Sequence, residues 1–279
     1  VRTTDWDGNK GVNALWLVPT MLVALLRADR DPEGRRYCAD SIRLICVGTA
    51  PLPGQLQADF EAAYGVRLHE SYGLSGALFV SGQSPRLPAR LGSVGQPLAG
   101  IGLRMVGEHG QEVPEGEEGE ILVQAPWSMP GYFDYGSKQP QETGSTWFPS
   151  GDVGRRDTEG YLFITARKKD LIIRGGQNIS PRAVEEVLEA HPAVLHAAVV
   201  GVPHAFYGEE VVAVLVLRAA ADLVALRSEL EARCRAALSP AALPTRFHVR
   251  SALPASVTGK VQKNRLRDWV AAGAPADGA

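Results

Sequence analysis

The sequence predicts a mixed α/β chain in three parts, and three patterns support this division. From Val1 to residue 90, short apolar segments such as "IRLICVG" alternate with helical segments such as "PGQLQADFEAAYG", as in a parallel sheet covered by helices. From 91 to 167, strands and turns with little helix predict a small antiparallel barrel-like subdomain or sheet. From 168 to 279, a strong helix start and β-branched runs predict a separate α+β domain.

The first predicted strand and helix lie in the longest apolar run, "NALWLVPTMLVALL", at residues 13–26. A helix that spans a bilayer needs about 20 apolar residues, and a proline interrupts this run. It therefore predicts a buried strand followed by a helix rather than a membrane span. The Pro-, Gly- and Ser-rich stretch "SGQSPRLPARLGSVGQP" marks the end of the first part.

The second part contains the strand-turn-strand segments "GLRMVGEHGQEV", "GEEGEILVQAP" and "TEGYLFITA". The third part contains "SPRAVEEVLEAHP", in which Ser180 is predicted as the N-cap and Pro181 as the first helical residue. The runs "VLHAAVVGVP" and "GEEVVAVLVLR" predict strands. An amphipathic helix is predicted from about Val224 to Leu238.

The overall charge argues against a nucleic-acid or anionic-lipid partner. The chain has 29 basic and 31 acidic residues and a formal net charge of −2, so a small-molecule partner is favoured. Cys38, Cys46 and Cys234 are scattered and predict neither a disulfide framework nor a zinc site. Since no secretion signal is apparent either, a cytoplasmic location is expected.

The Gly259–Lys260 pair near the C-terminus invites comparison with a phosphate-binding loop. A Walker loop needs a glycine five positions before this glycine and a Ser or Thr after the lysine. Those positions hold Pro254 and Val261. The sequence therefore excludes a Walker loop and leaves Lys260 as a solvated loop residue or a residue with another role.

Four short segments become informative when they are taken together: "VGTAPL" (47–52), "HESYGLSG" (69–76), "SGDVGRRDTEGYLFITARKKD" (150–170) and "SVTGK" (256–260). Alone, each is typical of a loop, turn, hairpin or solvated charge run. In this order, with "GEILVQ" and "GGQNISPRAVEEVL", they make the chain resemble the adenylate-forming family. That family comprises acyl-CoA synthetases, the adenylation domains of peptide synthetases, and luciferases. The resemblance covers essentially the whole chain.

The resemblance implies an enzyme that activates a carboxylic acid with ATP. The acid becomes an acyl-adenylate, pyrophosphate leaves, and the acyl group passes to the thiol of CoA or of a carrier protein, with Mg²⁺ as a cofactor. The segment "VVGVPHAFYGEEVVAVLVL" is closer to stand-alone acyl-CoA synthetases than to peptide-synthetase modules. The small and apolar residues of "SGALFVSG" indicate an acyl or aryl substrate more than a charged one.

The resemblance assigns the adenine contacts to two short loops. Gly48, Thr49 and Ala50 are expected to line one side of the base, since small residues let a flat ring lie against the backbone. Tyr72, followed by Gly73, is expected to stack on its face. The alternative explanation is a tight turn and a half-buried tyrosine.

Four further residues match positions that contact phosphate, ribose or the acid. Ser75 replaces a Thr whose hydroxyl contacts the α-phosphate, and it keeps the hydrogen-bond donor. Asp152 matches the carboxylate that accepts hydrogen bonds from the ribose hydroxyls, and Arg167 resembles an arginine that contacts the nucleotide. Lys260 matches the lysine that bridges the substrate carboxylate and the α-phosphate in the transition state.

Two features of the third part are implied to serve the second half-reaction. Lys169 occupies the hinge about which the C-terminal domain rotates between adenylation and thioester formation. Gly175 and Gly176 resemble the loop that approaches the pantetheine arm, where side chains would block the tunnel.

Two departures from the family pattern bear on activity. The Ser/Thr/Gly-rich loop ending in Pro-Lys, which holds the β- and γ-phosphates, does not occur in these 279 residues. Roughly the N-terminal half of a typical member is missing with it, and Val1 fits either a processed N-terminus or a chain that begins within a longer one. Gly76 replaces a glutamate that helps to hold Mg²⁺.

Three interpretations stay open at this point. The chain is the C-terminal half of an AMP-forming acid-thiol ligase, inactive alone and completed by a longer chain, an N-terminal-half polypeptide or self-association. Alternatively, it is a degenerate binding module, or a nucleotide-dependent transferase without the phosphate loop. Lys260, Asp152, Arg167 and Tyr72 favour the ligase, whereas Gly76 and the missing loop favour the binding module.

Overall fold

The computed structural model describes residues 12–28, 32–134, 136–142, 145–218, 223–256 and 260–274. The chain divides into two compact units, Val1–Ile164 and Thr165–Ala279. Each unit has a sheet-based core of its own. None of the helices in these ranges is long and apolar enough to cross a bilayer.

A five-stranded sheet organises the beginning of the first unit. Its strands, in spatial order, are β1 (Ala14–Leu17), β2 (Leu44–Val47), β3 (Leu68–Leu74), β4 (Leu78–Gly82) and β5 (Gln96–Pro97). The first three strands are parallel, as predicted, and the last two run antiparallel to their neighbours. The helices of this region are α1 (Pro19–Ala28), α2 (Pro32–Ser41) and α3 (Gly54–Tyr64).

The core of this region is built from the apolar residues that the β-α pattern indicated. Leu22 of α1, Ile45 of β2, Phe60 of α3 and Leu68 of β3 are almost fully buried. Burying a large aliphatic or aromatic side chain contributes about 1.5–3 kcal/mol, so these contacts fix the helices on the sheet. Since β1, β2 and β3 are parallel, their carboxyl ends meet at one edge, which is where open α/β sheets bind ligands.

The β-rich part of the first unit forms an open sheet. Its strands are β6 (Gly102–Val106), β7 (Gly119–Gln124), β10 (Phe148–Arg156) and β11 (Leu162–Arg167), in the order β11-β10-β7-β6, and β8 (Gly131–Asp134) pairs with β9 (Gln139–Glu142) in a hairpin. The pairings in the described ranges do not join β11 to β6. Of the two arrangements predicted, barrel-like or sheet, the described residues therefore form the sheet.

The second unit is an α+β domain. Its strands are β12 (Ile172–Arg174), β13 (Gln177–Ile179), β14 (Val194–His204), β15 (Gly208–Leu217) and β16 (Arg246–Val249), and its helices are α4 (Pro181–Glu189), α5 (Leu223–Ala237) and α6 (Lys263–Ala271). The sheet order is β13-β12-β15-β14, with β16 also paired to β15. The predicted start of α4 is confirmed: Ser180 caps the helix by accepting a hydrogen bond from the Ala183 N–H at 3.4 Å.

Helix α4 covers the outer edge of β14 with two carboxylates. Glu185 Oε1 accepts the Val199 N–H at 2.7 Å, and Glu189 Oε1 accepts the Ala197 N–H at 3.0 Å. The spacing fits because residues four apart on a helix and two apart on a strand each share a face. Lys263 Nζ lies 2.7 Å from Glu185 Oε1. Unpaired strand edges invite association with other chains, and these contacts cover one.

The protonation of Glu189 should make the second unit less stable as pH rises. Burial raises the pKa of this carboxyl to about 7 from an ordinary 4.5; the Ala197 N–H and Arg182 oppose the rise, and Glu185 and Glu186 add to it. The folded chain then holds a proton that the unfolded chain releases. The free energy of unfolding is therefore expected to fall between about pH 5 and pH 7, by at most about 3 kcal/mol.

Urea unfolding at pH 5 and pH 7.5 measures this slope, and the Glu189→Gln variant isolates it from other titrating groups. Glutamine keeps the carbonyl acceptor for Ala197 and removes the titration. The wild type should lose more stability than the variant over this interval. An equal loss in both proteins would contradict the assignment to Glu189.

Candidate functional site

Two predicted site residues of the first unit, Tyr72 and Asp152, are in direct contact. The Tyr72 hydroxyl donates a hydrogen bond to Asp152 Oδ2 at 2.7 Å, between strands of two different sheets. Asp152 is only 4% exposed, and a buried carboxylate is stable only when donors face it. The tyrosine hydroxyl is one such donor. The contact therefore joins the predicted adenine-stacking residue to the predicted ribose-binding residue.

A bulge in β10 sets the direction of Asp152. The pairing with β7 shifts register between Pro149 and Val153, and Gly151 inside this interval has φ +71°. Bulges re-aim side chains, and glycine adopts this left-handed conformation without strain. Ser150 Oγ also accepts the Asp152 N–H at 3.0 Å. Ser150 was not predicted individually as a site residue, although it lies in the segment 150–170.

The loop after β2 places the predicted adenine residues beside the strand that carries Tyr72. Gly48 is buried, and a Cβ added there would lie 2.9 Å from Ser71 Oγ and 3.0 Å from the Ser71 carbonyl oxygen. Thr49 is exposed with φ +72°, a conformation that costs a β-branched residue about 1–3 kcal/mol. Ala50 is partly buried. Strain of this kind is often found in binding loops, and the adenine contacts of Gly48, Thr49 and Ala50 stay predictions.

The turn between β3 and β4 carries the predicted phosphate contact. Ser75 is exposed in this turn, and Gly73 lies before it, opposite Phe79. Gly76 is buried, and a Cβ added there would lie 2.4 Å from Phe148 Cζ. A side chain at position 76 thus requires the turn or the phenylalanine ring to move.

The residues around this turn do not fit a Mg²⁺ site. Mg²⁺ takes oxygen ligands, mainly carboxylates and phosphates, and Gly76 supplies none where the family pattern predicts a glutamate. In the described ranges, no three His, Cys, Asp or Glu side chains are grouped as metal ligands. The buried Asp152 carboxylate already accepts the Tyr72 hydroxyl. No step of the chemistry below is therefore assigned to a metal held by this turn.

The Cys46 thiol near the sheet edge is a poor nucleophile. Burial raises the pKa of this thiol in β2, which disfavours the reactive thiolate. Burial, and then Arg67, lower the pKa of His69 in β3, while Glu61 opposes them, so the neutral imidazole is favoured. Cys46 therefore gives no support for a covalent acyl-enzyme.

Arg167 and Lys169 lie at the start of the second unit. Arg167 ends β11, and its carbonyl oxygen accepts the Leu171 N–H at 3.0 Å across the short 3-10 turn Lys168–Asp170. The side chains of Arg167 and Lys169 are exposed. Their roles as nucleotide contact and hinge stay predictions.

Gly175 and Gly176 form the two-residue turn between β12 and β13. Their φ angles are +57° and +80°, and Arg174 pairs with Gln177 on either side. Two-residue hairpins of this kind need positive φ at both central positions, so local structure alone explains both glycines. The Gly175 N–H also donates to the Tyr207 carbonyl oxygen at 2.8 Å. Their predicted contact with a pantetheine arm stays a prediction.

Lys260 follows residues 257–259, which lie outside the described ranges. Its backbone is fixed: the Ser256 N–H donates to the Lys260 carbonyl oxygen at 2.8 Å, and the Lys260 N–H donates to Ser256 Oγ at 3.2 Å. Ala255 and Val261 add one antiparallel bridge. The Lys260 side chain is exposed. An anchored backbone with a solvated ammonium group fits both a lysine that acts on a ligand and a solvated loop lysine, so the role of Lys260 stays a prediction.

Models of two known protein families match this chain. Residues 8–133 match the model of the AMP-binding enzymes, and residues 183–260 match the model of the AMP-binding enzyme C-terminal domain. The chain belongs to the adenylate-forming family. The order of its motifs and its mixed α/β fold are those of an adenylate-forming enzyme.

Individual relatives of this chain include two curated CoA ligases. It is 37% identical over 274 residues to a sulfoacetate–CoA ligase of Cupriavidus necator, covering 94% of the chain and 51% of that protein. It is 37% identical over 259 residues to a long-chain-fatty-acid–CoA ligase of Bacillus subtilis, covering 89% and 44%. The chain thus spans about half the length of these relatives.

The fold also matches a solved structure. The ATP-bound MatB from Rhodopseudomonas palustris superposes with a TM-score of 0.81 at 31% identity, covering 92% of the chain and 50% of that protein. The two ligases act on very different acids at equal identity to this chain. Overall similarity therefore does not identify the acid.

One pair of aromatic residues near the 48–50 loop was not predicted from the sequence. Trp16 and Phe79 lie in separate strands, with ring centroids 4.8 Å apart and planes at 45°. Both occur in the segments quoted above, but nothing in their spacing indicated that the two rings meet. Only the order of strands in the sheet brings them together.

Proposed function

We propose that this chain contributes the nucleotide-binding surface and the mobile C-terminal domain of an AMP-forming acid-thiol ligase. The observation that carries the proposal is the buried Tyr72–Asp152 contact beside the 48–50 loop, in a chain of the adenylate-forming family. The names of the related proteins, which are CoA ligases, support CoA as the thiol.

The contact suits the binding of adenosine. An ionised carboxylate offers several acceptor positions, so Asp152 can accept the Tyr72 hydroxyl and ribose hydroxyls together. The same hydrogen bond holds the tyrosine ring in place, which prepares its face for adenine. The strained loop at Thr49 then borders the base.

The proposed chemistry has two steps. In the first, a carboxylate oxygen of the acid attacks the α-phosphorus of ATP, an O–P bond forms, and pyrophosphate leaves. Lys260 supplies positive charge to the carboxylate and α-phosphate, and the Ser75 hydroxyl donates to the phosphate. In the second step, the thiol sulfur attacks the acyl carbon, a C–S bond forms, the thiol loses its proton, and AMP leaves.

We further propose that these 279 residues alone bind adenosine nucleotides but do not turn over ATP. Phosphoryl transfer depends on positioning and charge neutralisation of the phosphates, and the sequence contains no Ser/Thr/Gly-rich loop ending in Pro-Lys. The N-terminal half is proposed to come from the same polypeptide or a partner, in the cytoplasm.

The second candidate, a non-catalytic binding module, is favoured by Gly76 and the Phe148 ring against it.

Calorimetry on the 279-residue protein tests the proposal. AMP is expected to bind about as tightly as Mg-ATP, with no detectable ATP–pyrophosphate exchange. Asp152→Ala should weaken AMP binding by about tenfold or more, since it removes hydrogen bonds to a charged acceptor worth about 1.5–3 kcal/mol each. Asp40→Ala, which removes an exposed carboxylate from α2, is the matched control.

Two outcomes would count against the proposal. Failure of AMP to bind at millimolar concentration would mean that the Tyr72–Asp152 surface is not a nucleotide site. Robust pyrophosphate exchange by this chain without a partner would show that another element holds the phosphates.

A further inference from the structure

A half-exposed aromatic pair lies at the edge of the five-stranded sheet in the first unit. Trp16 in β1 is 47% exposed and Phe79 in β4 is 50% exposed, and their ring centroids are 4.8 Å apart at an interplanar angle of 45°. Tilted aromatic pairs at this distance are favourable contacts. Their outward surface is still left to water, which is the arrangement expected of a wall that receives an apolar ligand.

This pair is continuous with the proposed nucleotide surface. A Cβ added at Gly48 would lie 3.7 Å from Trp16 Cζ2, so the adenine loop borders the indole ring. On the other side, Phe79 pairs with Gly73, the residue after Tyr72. The two rings therefore lie next to the loop and the strand that carry the proposed nucleotide contacts. The edge is formed by the carboxyl ends of the parallel strands, where open α/β sheets bind ligands.

The chemistry of this wall is apolar and flat. Ser71 is the polar side chain among the contacts described above. Its hydroxyl donates a hydrogen bond to the Val47 carbonyl oxygen at 3.2 Å. Ser71 also lies against Gly48, at 2.9 Å from an added Cβ, so the small glycine keeps this part of the surface open. The side chains named here, Trp16, Phe79 and Ser71, are uncharged. They therefore offer apolar contact to an uncharged planar group rather than an ion pair.

We propose that Trp16 and Phe79 bind the acyl portion of the substrate and that the acid is aromatic. The inference rests on the proposed acid-activating function and adds the substrate class to it. Aromatic rings pack on each other in offset or tilted geometries that are more favourable than their buried area alone. An aromatic acyl group on the α-phosphate that lies on this surface would contact both rings, whereas an acetyl group has too little apolar area to cover them.

The test uses non-hydrolysable acyl-adenylates, in which a sulfamate replaces the phosphate, with the 279-residue protein. Calorimetry compares AMP with the acetyl, octanoyl and benzoyl compounds. The benzoyl compound is expected to bind at least about tenfold more tightly than the acetyl compound, and more tightly than the octanoyl compound.

Variants at Phe79 separate ring stacking from apolar contact. Phe79→Ala should remove most of the benzoyl advantage and leave AMP affinity unchanged, and Phe79→Leu, which keeps apolar area without a ring, should retain only part of it. Tyr132→Ala is the matched control, because Tyr132 is an exposed aromatic residue (63%) on a different hairpin. It should bind every compound as the wild type does.

Each remaining outcome overturns a defined part of the proposal. Tightest binding of the octanoyl compound would overturn the aromatic assignment. Equal affinity for AMP and all three acyl compounds would show that the rings are no acyl wall, for example because another protein segment covers them, and would leave the nucleotide site standing. Failure of AMP and all analogues to bind would overturn the proposed function together with this inference.

Discussion

Replacing Lys260 with alanine is expected to reduce acid-dependent ATP–pyrophosphate exchange by about 10²-fold or more, as when one preorganised charge-stabilising group is lost. Negative charge shifts between the carboxylate and the α-phosphate during adenylation, and the ammonium group opposes it. The fold should be unaffected, because the side chain is exposed and the local hydrogen bonds to Ser256 come from the backbone of residue 260. Exchange is measured with the longest polypeptide that the reading frame encodes.

Two further variants sharpen this measurement. Lys260→Arg keeps the charge but replaces a compact ammonium group by a planar fork, so it should retain only part of the exchange activity. Arg265→Ala removes an exposed basic residue from the following helix and should leave exchange unchanged. Wild-type exchange in Lys260→Ala would refute the assignment and favour a solvated loop lysine.

Much of the fold could be predicted from the sequence because its signals are local. The alternation around "IRLICVG" predicted β2 and its parallel neighbours, and Ser180 followed by Pro181 marked the first residue of α4. The helix predicted from Val224 to Leu238 occurs at Leu223–Ala237. Whether the β-rich part closes into a barrel was harder to predict, since closure depends on pairings between distant strands rather than on residue pattern.

The candidate site could be predicted in part for a similar reason. The motif order identified Tyr72 and Asp152, but their 2.7 Å contact joins residues 80 apart in the chain and arises only from tertiary structure. Trp16 and Phe79 were missed because β1 and β4 are not neighbours in the sheet and no motif links them. Gly175 could be predicted as a site residue, but the structure does not distinguish that role from a structural one. Its hairpin turn requires glycine whether or not a thiol binds nearby.

Gly76 is the clearest departure of this chain from the family pattern, in both sequence and structure. The sequence indicated only that a metal-binding carboxylate was absent. In the structure, the buried ring of Phe148 occupies the space that a side chain at position 76 would need. The glycine that replaces glutamate at position 76, next to the proposed phosphate contact Ser75, is therefore accompanied by a packed phenylalanine ring. This packing favours the alternative proposal that the chain is a non-catalytic binding module.

Locking Lys169 with proline is expected to separate the two half-reactions. Lys169 lies in the 3-10 turn Lys168–Asp170, directly after the boundary between the two compact units. Proline fixes φ of residue 169 near −65° and disfavours the helical conformation of Lys168 before it, so the variant restricts the backbone at both residues. If the locked conformation is the adenylating one and the hinge must change φ or ψ for thioester formation, the chain should keep adenylation and lose most of the thioester step, by about 10²-fold.

The variant Lys169→Ala is the control, since it removes the charge without restricting the backbone. Pyrophosphate exchange reports adenylation, and release of AMP with formation of acyl-CoA reports the second step, both in the longest polypeptide that the reading frame encodes. Selective loss of the second step in Lys169→Pro, with both steps kept in Lys169→Ala, is the signature of a hinge. Equal losses in both steps, or the same loss in both variants, would mean that the chain does not pivot at Lys169, because a pivot acts through backbone angles and not through the ammonium group.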